Sequence, residues 1–333
     1  MKTIFHGKKI LITGGAGSVG RALTERILKY KPSIIRIFDV SENEMFKMRN
    51  DFARPTIMRY LIGDIRDMSR LKLAMEGIDI VVHLAAMKHV YACEYNPFEA
   101  IKTNIDGLQN VISAARDANV QKVVFSSTDK AANPSSVMGT TKLLGEKLIS
   151  LANYYKGNKK TIFSSVRFGN VIGSNGSVIP LFKKQLLEKK PLTITDKGMT
   201  RFVITMDEAV DLICQAINLA KGGETFVWKM RTLKVTDLAN AMAAIFGRKG
   251  KTRKVIIGKG HGEKINEEIM SEDELTRAIS LKDLYVVFPL IDYLHVIRKY
   301  KDADKIKNPV ISSDVGRHMP ESEIAALLRT LNI

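Results

Sequence analysis

Residues 11–23 read LITGGAGSVGRAL, with three glycines between an apolar, strand-like run and the start of a helical pattern. Gly14, Gly17 and Gly20 permit a tight turn and let backbone N–H groups approach a pyrophosphate, whose charge the N-terminus of the following helix favours. Asp39 ends the next apolar run, where a carboxylate accepts hydrogen bonds from an adenosine ribose and repels a 2′-phosphate. The segment therefore predicts a dinucleotide site that prefers NAD to NADP.

The alternation of strand and helix patterns continues outward through the first half of the chain. Runs rich in Ile and Val are typical of parallel strands covered on both faces, and the segments between them carry apolar residues at three- and four-residue spacing. We expect an α/β fold, a Rossmann-type doubly wound parallel sheet with right-handed crossovers. The predicted strands are residues 8–13, 34–39, 59–63, 79–86, 122–128 and 161–170, and the predicted helices are 21–30, 100–119 and 138–155.

The pattern loosens after residue 170. We expect residues 1–170 to form the NAD-binding core and residues 171–333 to form mainly a smaller C-terminal substrate lobe, with the return of some chain to the core left open. The segment after Leu275 carries no pattern to which we assign a role. The predicted elements of this half are helices at 177–190, 206–220 and 235–247 and a short strand at 192–196.

Composition limits the classes of function. The net charge of +17 favours anionic ligands, but the Lys and Arg residues form no dense block and no nucleic-acid module accompanies them, so we expect no nucleic-acid partner. No apolar run reaches the length of a membrane span, and the first strand starts too early to leave room for a signal peptide. Cys93 and Cys214 lack metal-ligand spacing, so we expect no metal site and a reducing, cytoplasmic location.

The glycine spacing, Gly-x-x-Gly-x-x-Gly, resembles that of the extended short-chain dehydrogenase/reductase family. Asp64 in GDIRD, after the third strand, and the sequence HLAA at 83–86, after the fourth, also match the family. The resemblance implies that Asp64 contacts adenine and that the HLAA stretch lies along the cofactor. Together with the glycine turn, the resemblance gives these cofactor-binding residues: Gly14, Gly17, Ser18, Val19, Gly20, Asp39, Asp64, Ile65, Ala85, Ala86, Lys88, Asn104 and Lys142.

The reactive segment departs from the family pattern. The family has a tyrosine four residues before a lysine, and the tyrosine exchanges a proton with the substrate while the lysine lowers its pKa and holds the nicotinamide ribose. Here residues 126–142 read SSTDKAANPSSVMGTTK, so that Lys142 is in place but Met138 occupies the tyrosine position. A thioether carries no proton, so another residue must take that role.

Thr128, Asp129 and Lys130 offer a substitute where the fifth strand ends. The sequence STDKAANP…VMGTTK is similar to that of UDP-N-acetylglucosamine 4,6-dehydratases, several of which also have Met in the tyrosine position. Other similar segments extend the resemblance over about residues 1–268: AAMKHVYACEYNPFEAIKTN, RFGNVIGSNGSVIPLF, ITDKGMTRF and GHGEK.

The resemblance implies oxidation at C4 of the sugar, loss of water across C5–C6 and return of hydride to C6. Oxidation makes the C5 hydrogen acidic, and Lys130 is the candidate base if burial or nearby cations lower its pKa. Asp129, when protonated, would donate to the departing C6 hydroxyl, and Thr128 would hydrogen-bond the C4 oxygen. The acceptor of the O4 proton stays open between Lys130 and Asp129, directly or through water.

The resemblance also implies a UDP-GlcNAc substrate and supplies its contacts. Asn170 and the loop from Ser174 to Ser177 would line the nucleotide site. Arg201 and the region of Glu263 and Lys264 would contact phosphate or uracil. Lys88 and His89 would reach the cofactor or the sugar, although a purely structural His89 is the alternative.

Several alternatives remain open at this point. A UDP-sugar 4-epimerase would share the fold and NAD but would ordinarily need the tyrosine that Met138 replaces. A non-catalytic sugar-nucleotide sensor would tolerate Met138 but would not require Asp129 and Lys130. Within the dehydratases, FDVSENE and NPSSVMGTTK resemble the enzymes that retain the C5 configuration, whereas ITDKGMTRF resembles those that epimerise C5, and on balance we favour retention. We also expect a homo-oligomer, a dimer or a hexamer.

Overall fold

The computed structural model describes residues 2–52, 56–247, 252–291, 293–300, 304–307, 309–331 and 333. The strands are β1 (Lys9–Thr13), β2 (Ile34–Asp39), β3 (Met58–Ile62), β4 (Ile80–His83), β5 (Lys122–Thr128), β6 (Ile162–Phe168), β7 (Asn170–Val171), β8 (Leu192–Ile194), β9 (Thr200–Ile204), β10 (Thr225–Trp228), β11 (Arg231–Lys234), β12 (Lys254–Ile256), β13 (Ala278–Leu281), β14 (Leu284–Val287) and β15 (Asp304–Lys305).

The α-helices are α1 (Lys2–Phe5), α2 (Ser18–Leu28), α3 (Glu42–Asp51), α4 (Met68–Met75), α5 (Val90–Tyr95), α6 (Pro97–Ile101), α7 (Gly107–Asp117), α8 (Val137–Tyr155), α9 (Val178–Leu187), α10 (Met206–Leu219), α11 (Val235–Phe246), α12 (Glu272–Thr276), α13 (Tyr293–Ile297) and α14 (Glu321–Thr330). A π-helical turn spans Lys102–Asp106 and a 3-10 turn spans Asp129–Ala131.

A large central sheet carries the fold, with the strand order β15-β13-β14-β10-β6-β5-β4-β1-β2-β3. From β10 to β3 the neighbouring strands pair in parallel, whereas β14 pairs with β10 in antiparallel fashion. The chain order reverses between β1 and β4, and ligands of doubly wound sheets bind at such a reversal, beyond the carboxyl ends of the strands. The predicted Rossmann-type sheet is confirmed.

Helices cover both faces of this sheet. On one face α2, α3 and α10 bury side chains against β1 and β2, and on the other face α4, α7 and α8 pack over β4 and β5. Ile213 and Ile217 of α10 belong to the same core as Ile10 and Ile12 of β1. Chain beyond residue 170 therefore returns to the core, since α10, β10, β13 and β14 are all part of it.

A smaller lobe forms from the remaining second-half elements. Apolar side chains of α9, α11 and α14 enclose a separate core with β8, β9 and β11. Within the described ranges, no helix combines the length and apolar character needed to cross a membrane.

The predicted helix over 100–119 differs from the structure in one respect. The stretch is divided into α6, the π-helical turn and α7, and the π turn buries Asn104. The side-chain oxygen of Asn104 accepts a hydrogen bond from Met87 N at 2.8 Å, and its amide donates to Met87 O at 3.0 Å and to Thr141 Oγ1 at 2.9 Å. The extra residue of the turn lets Asn104 hold the chain that follows β4.

Candidate active site

A cavity of about 860 Å³ opens beyond the carboxyl ends of the parallel strands, across the reversal of strand order. It brings together residues from the first four βα connections, from the start of α8 and from the loop after β7. The predicted site residues that line it are Gly14, Gly17, Ser18, Val19, Gly20, Asp39, Asp64, Ile65, Ala85, Ala86, Lys88, His89, Thr128, Lys130, Met138, Lys142, Asn170, Ser174 and Ser177.

The glycine turn after β1 has the shape that a pyrophosphate requires. Gly14 has φ +64°, and a Cβ there would lie 2.6 Å from the backbone nitrogen of Ala85. A Cβ on Gly20 would lie 2.4 Å from the carbonyl oxygen of Gly15, so that only glycine lets α2 start this close to the turn. Gly17 caps α2 without a side-chain hydrogen bond, so the first N–H groups of the helix remain available to an anion.

Asp39 stands at the end of β2 beside this turn. One carboxylate oxygen accepts a hydrogen bond from Ala16 N at 3.1 Å, and the other accepts one from Ser41 N at 3.0 Å. These bonds fix the carboxylate at the cavity wall, where its charge favours a free ribose 2′-hydroxyl and disfavours a 2′-phosphate. The residues present therefore fit the adenosine half of NAD.

Asp64 and Arg66 form the next part of the wall. The Arg66 guanidinium donates to Asp64 Oδ2 from Nε at 2.8 Å and from Nη2 at 2.6 Å, and these hydrogen bonds hold the pKa of Asp64 below its usual range. Arg66 lines the same cavity, although no motif in the sequence singled it out. The pair presents an ionised carboxylate and a planar cation where the family resemblance expects adenine.

Lys88 joins the wall of the cavity to the loop after β7. Its Nζ donates to Asn175 O at 2.8 Å, and Asn175 N donates to Ser18 Oγ at 3.3 Å. His89 borders Gly176, where an added Cβ would lie 2.7 Å from the imidazole Cε1. Burial lowers the pKa of both Lys88 and His89, and the Lys88 charge adds to the effect on His89. The loop thus closes over the glycine turn from the opposite side.

Thr128, Asp129 and Lys130 leave β5 in a tight 3-10 turn. Thr128 Oγ1 donates to Asp129 Oδ1 at 2.9 Å, and Lys130 Nζ donates to the same oxygen at 2.9 Å. Asp129 is fully buried and lies outside the cavity lining, behind Thr128 and Lys130. Asp129 therefore contacts the cavity only through its two neighbours. In this conformation its carboxyl group does not reach the cavity, where the predicted proton donation to a substrate would take place.

The pKa of Lys130 is shifted by its surroundings in the direction that favours the charged ammonium. Its Nζ lies 2.9 Å from Asp129 Oδ1 and 3.2 Å from Glu267 Oε1, while 21% of its side chain remains exposed. Burial alone would lower the pKa, but the charges of Asp129 and Glu267 outweigh it, so the pKa of Lys130 is raised. The condition set from the sequence for Lys130 as a base, a lowered pKa, is therefore not met, because a second carboxylate, Glu267, faces the amine.

Met138 and Lys142 occupy the first turns of α8. Ser136 caps this helix by accepting a hydrogen bond from Gly139 N at 3.1 Å. Met138 packs with Cys93 and Ala100 and still reaches the cavity, whereas Lys142 Nζ donates to Ser126 O at 2.9 Å. Burial lowers the pKa of Lys142 to about 8.

Besides Asp129, four of the predicted residues do not line the cavity: Asn104, Arg201, Glu263 and Lys264. Asn104 is held in the π turn, as described above. The Arg201 guanidinium donates to Thr200 O at 2.7 Å and to Ile265 O at 2.9 Å, which joins β9 to the backbone of the segment that contains Ile265. Glu263 accepts a hydrogen bond from Gly260 N at 3.2 Å within its own loop, and its neighbour Lys264 donates to Ala132 O at 3.0 Å.

Glu267 is the functional candidate that sequence reasoning missed. It follows the segment GHGEK, in which only Glu263 and Lys264 were selected, and it lies next to a second glutamate, Glu268. Nothing in that local sequence distinguishes the two glutamates, because the partner that identifies Glu267 is Lys130, in the first half of the chain.

Comparison with known proteins places the chain in a family. Residues 10–289 match the model of the family described as polysaccharide biosynthesis protein. The UDP-N-acetylglucosamine 4,6-dehydratase (inverting) of Campylobacter jejuni subsp. jejuni serotype O:2 is 45% identical over 87% of this chain and 86% of its own length. The UDP-glucose 4-epimerase of Rickettsia canadensis is 41% identical over 99% of this chain and 97% of its own.

Among solved structures, the X-ray structure of Pen from Bacillus thuringiensis superposes with a TM-score of 0.92, at 42% identity, and covers 98% of each chain. These matches extend through the glycine turn, the reactive segment and the second half, so that the resemblance seen in the motifs holds over nearly the whole sequence. The chain belongs to the polysaccharide biosynthesis protein family, within the extended short-chain dehydrogenases/reductases.

Proposed function

We propose that this protein is a UDP-N-acetylglucosamine 4,6-dehydratase that forms a UDP-4-keto-6-deoxy-N-acetylhexosamine. At the coarser level the chain is a nucleotide-sugar enzyme of the 4,6-dehydratase and epimerase group. One observation carries the finer proposal. A lysine, Lys130, stands at the cavity wall beside two buried carboxylates, while Met138 removes the proton carrier on which the ordinary dehydrogenase site depends.

The cofactor is NAD, because the glycine turn fits a pyrophosphate and Asp39 fits a ribose that carries no 2′-phosphate. When bound, NAD would supply the hydride acceptor for C4 of the sugar and the hydride donor for C6, so that the net reaction is the loss of water. Lys142 supports the nicotinamide ribose in this proposal, since it lines the cavity and its Nζ donates to one carbonyl, Ser126 O, and lies 4.6 Å from the centroid of the Phe125 ring, which leaves ammonium protons for a ribose hydroxyl.

The protein residues move the protons of the reaction. Thr128 lines the cavity and can hydrogen-bond the C4 oxygen, and its hydroxyl is already oriented by Asp129. Lys130 takes the C5 proton, which a C4 ketone makes acidic, and must first give up one of its own protons. Asp129 acts through Thr128 and Lys130 in this arrangement, and the departing C6 hydroxyl receives its proton from that hydrogen-bonded group. The proton released from O4 during oxidation stays in the same group and returns to C5 once C6 has received the hydride, so that two protons leave the sugar and two are returned.

In this proposal the UDP part of the substrate binds to β7 and the loop that follows it. Asn170, Ser174 and Ser177 line the cavity, and the side-chain oxygens of Asn170 and Ser177 include buried atoms without a partner among the described residues. Arg201 and Glu263 stay predictions for phosphate or uracil contacts. The homo-oligomer and the cytoplasmic location expected from the sequence also stay predictions.

A 4-epimerase is the second candidate, since relatives with similar identity carry that name. Met138 argues against it, because an epimerase of this family ordinarily returns the proton through a tyrosine at this position. A sensor without catalysis would leave the buried charges around Lys130 unexplained, because such charges are costly to bury.

For the configuration at C5 the two lines of support differ. The motifs favoured retention, whereas the Campylobacter relatives at 45% identity are named inverting. We propose inversion, since whole-chain similarity includes more of the substrate site than the short motifs do. The proton coupling constants of the product ring distinguish the two epimers.

Incubation with UDP-GlcNAc and NAD separates the candidates. A dehydratase gives a product lighter by one water in the mass spectrum. A 4-epimerase gives a product of unchanged mass with an inverted C4 in the NMR spectrum, and a sensor returns the substrate unchanged. Unchanged UDP-GlcNAc in the presence of bound cofactor would contradict the proposal.

A further inference from the structure

Glu267 is a buried acid whose side chain faces Lys130. Its Oε1 lies 3.2 Å from Lys130 Nζ, and only 2% of its side chain is exposed. Its other oxygen, Oε2, is buried with no hydrogen-bond partner among the described residues. A buried carboxylate with one free oxygen is costly unless it is paired or protonated.

The C-terminal segment holds Glu267 in this position. Ser313 Oγ accepts a hydrogen bond from Glu267 N at 2.8 Å, and Ser313 N donates to Glu267 O at 2.8 Å. Thr200 Oγ1 and Ser313 Oγ lie 2.6 Å apart, which ties the segment to β9. The C-terminal segment, to which we assigned no role from the sequence, thus fixes the backbone of Glu267 next to Lys130.

Two carboxylates contact Lys130, and they are not equivalent. Each has a second oxygen, Asp129 Oδ2 or Glu267 Oε2, that is buried without a hydrogen-bond partner among the described residues, but Asp129 Oδ1 accepts hydrogen bonds from both Thr128 and Lys130. For the Glu267 side chain, Lys130 is the one recorded partner among the described residues. Burial raises the pKa of Glu267, with the Asp129 charge adding to the rise and the charges of Lys130 and Arg201 opposing it. Glu267 therefore accepts a proton more readily than an exposed glutamate does.

We propose that Glu267 is the positioning residue and internal proton acceptor of Lys130. One N–H bond of the Lys130 ammonium breaks and an O–H bond forms on Glu267, which leaves a neutral amine facing the cavity and leaves the summed charge of the cluster unchanged. The amine then forms an N–H bond with the C5 proton as the C5–H bond breaks, and passes that proton to the departing C6 hydroxyl. The amine so regenerated takes back the Glu267 proton, which restores the ion pair. The inference rests on the proposed function in assigning the C5 step to Lys130.

The first test needs no substrate. The pH dependence of Lys130 acetylation by acetic anhydride, followed by mass spectrometry, reports the pKa of its amine. Because an opposite charge within about 4–6 Å shifts a pKa by about 1–3 units, Glu267→Gln should lower the pKa of Lys130 by that amount. The control Glu272→Gln, at an exposed glutamate, should leave it unchanged. An unaltered pKa in folded Glu267→Gln protein would overturn the proposal.

The second test follows deuterium incorporation at C5 of UDP-GlcNAc in D₂O. With Glu267 present the proton stays inside the cluster, so the rate should be nearly flat between about pH 6 and about pH 8. In Glu267→Gln the proton must leave to solvent, so the rate should fall about tenfold for each unit below the Lys130 pKa. Glu267→Asp, which keeps the carboxylate, should restore the flat profile and serves if Glu267→Gln does not fold.

A merely structural role predicts a different result. It would lower the rate of Glu267→Gln by one factor at every pH, and that outcome would overturn the proposal. If the wild type neither exchanges C5 nor loses water, the proposed function fails, whereas the acetylation measurement still decides whether Glu267 governs the protonation of Lys130.

Discussion

Met138 and Lys142 lie one helical turn apart on α8, and both reach the wall of the same cavity. Residues four apart on a helix share a face, so the family places its tyrosine and lysine side by side at these positions. In this chain the lysine keeps its place and the proton carrier is replaced by a thioether. Under the proposed function, proton exchange is assigned instead to Lys130, in the 3-10 turn that follows β5.

Met138 fills space beside Cys93 and Ala100 and takes no part in proton transfer. Met138→Leu should retain most dehydratase activity, because the two side chains are close in volume and chemistry and such exchanges usually cost less than about 1.5 kcal/mol. Steady-state turnover of UDP-GlcNAc measures this, with Met45→Leu, another buried methionine, as the matched control. A loss of several orders of magnitude in Met138→Leu, with folding and NAD binding intact, would show that the site is misassigned.

Lys142 should make stability depend on pH. Burial lowers its pKa from 10.5 to about 8, so between these values the unfolded chain binds more protons than the folded protein does. The penalty for burying the ammonium is complete below about pH 8 and is relieved as the pH rises towards 10.5, a change of about 3 kcal/mol. Lys142→Met should remove this dependence.

Urea unfolding of the cofactor-free protein at about pH 7 and about pH 10 tests this expectation. The advantage of Lys142→Met over the wild type should be greatest at the lower pH and should shrink at the higher one. An advantage that does not change with pH would mean that Lys142 is not the source of the effect.

The part of the site near the sequence motifs could be predicted because it depends on local backbone. Gly14 and Gly20 are required by close contacts within one βα turn, and Asp39 follows from the end of the next strand. Parallel strands bring such ends to one edge, so the motifs converge on one cavity wherever the strand order is right.

The rest of the site depends on contacts between distant segments, which a single sequence does not record. Asn104 was expected at the cofactor but faces Met87, because the π turn rotates it inward. The sequence does not distinguish Glu267 from Glu268. Without Glu267, a lowered pKa was the condition set for Lys130, whereas in the structure the pKa of Lys130 is raised. The charge of a buried group depends on all its neighbours, and those neighbours come from the tertiary structure.

Asp39 should control the choice of cofactor. Asp39→Ala removes the carboxylate that opposes a 2′-phosphate, so the preference of the wild type for NAD over NADP should narrow. Calorimetric titration of cofactor-free protein with each dinucleotide gives the ratio of dissociation constants. Glu42→Ala, at an exposed residue at the start of α3, is the control and should keep the wild-type ratio. Equal affinity of the wild type for both cofactors would refute the expectation.

Arg167 should be essential for stability. It is fully buried, and its guanidinium donates to Glu146 Oε1 at 2.9 Å and to both oxygens of Glu274 at 2.8 Å. Arg167→Met leaves two buried carboxylates without their partner, a change that typically costs about 3–5 kcal/mol. The partly exposed Arg116 pairs with Asp117 at the surface, and Arg116→Met should cost less than about 1 kcal/mol.

The Arg167 effect should also depend on pH. Despite burial, Arg167 lowers the pKa of Glu274 from 4.5 to about 2, so this contribution is complete above about pH 4.5 and is lost as the pH falls through 2. The difference in unfolding free energy between the wild type and Arg167→Met should therefore shrink in acid. A difference that stays constant down to about pH 3 would contradict the assignment of the effect to ionised carboxylates.

Lys130 and Asp129 should affect different steps of one turnover. If Lys130 removes the C5 proton after oxidation, Lys130→Ala should block elimination and abolish deuterium incorporation at C5, because general base catalysis typically contributes about 10²–10⁴-fold. Asp129→Asn keeps the base but removes a charge from the group that supplies a proton to the C6 hydroxyl. It should spare part of the C5 exchange while slowing the loss of water.

Turnover of UDP-GlcNAc in D₂O, with NMR of both the product and the recovered substrate, separates the two steps. Lys184→Ala is the control, since Lys184 is 71% exposed and its recorded ion pair is a surface pair with Glu188. If exchange and elimination fell together in Asp129→Asn, Asp129 would be required for the base step as well, through its contact with Lys130. Near-normal product formation by Lys130→Ala would remove Lys130 from the reaction but not the dehydratase proposal, because Thr128 and the cofactor site would still be in place.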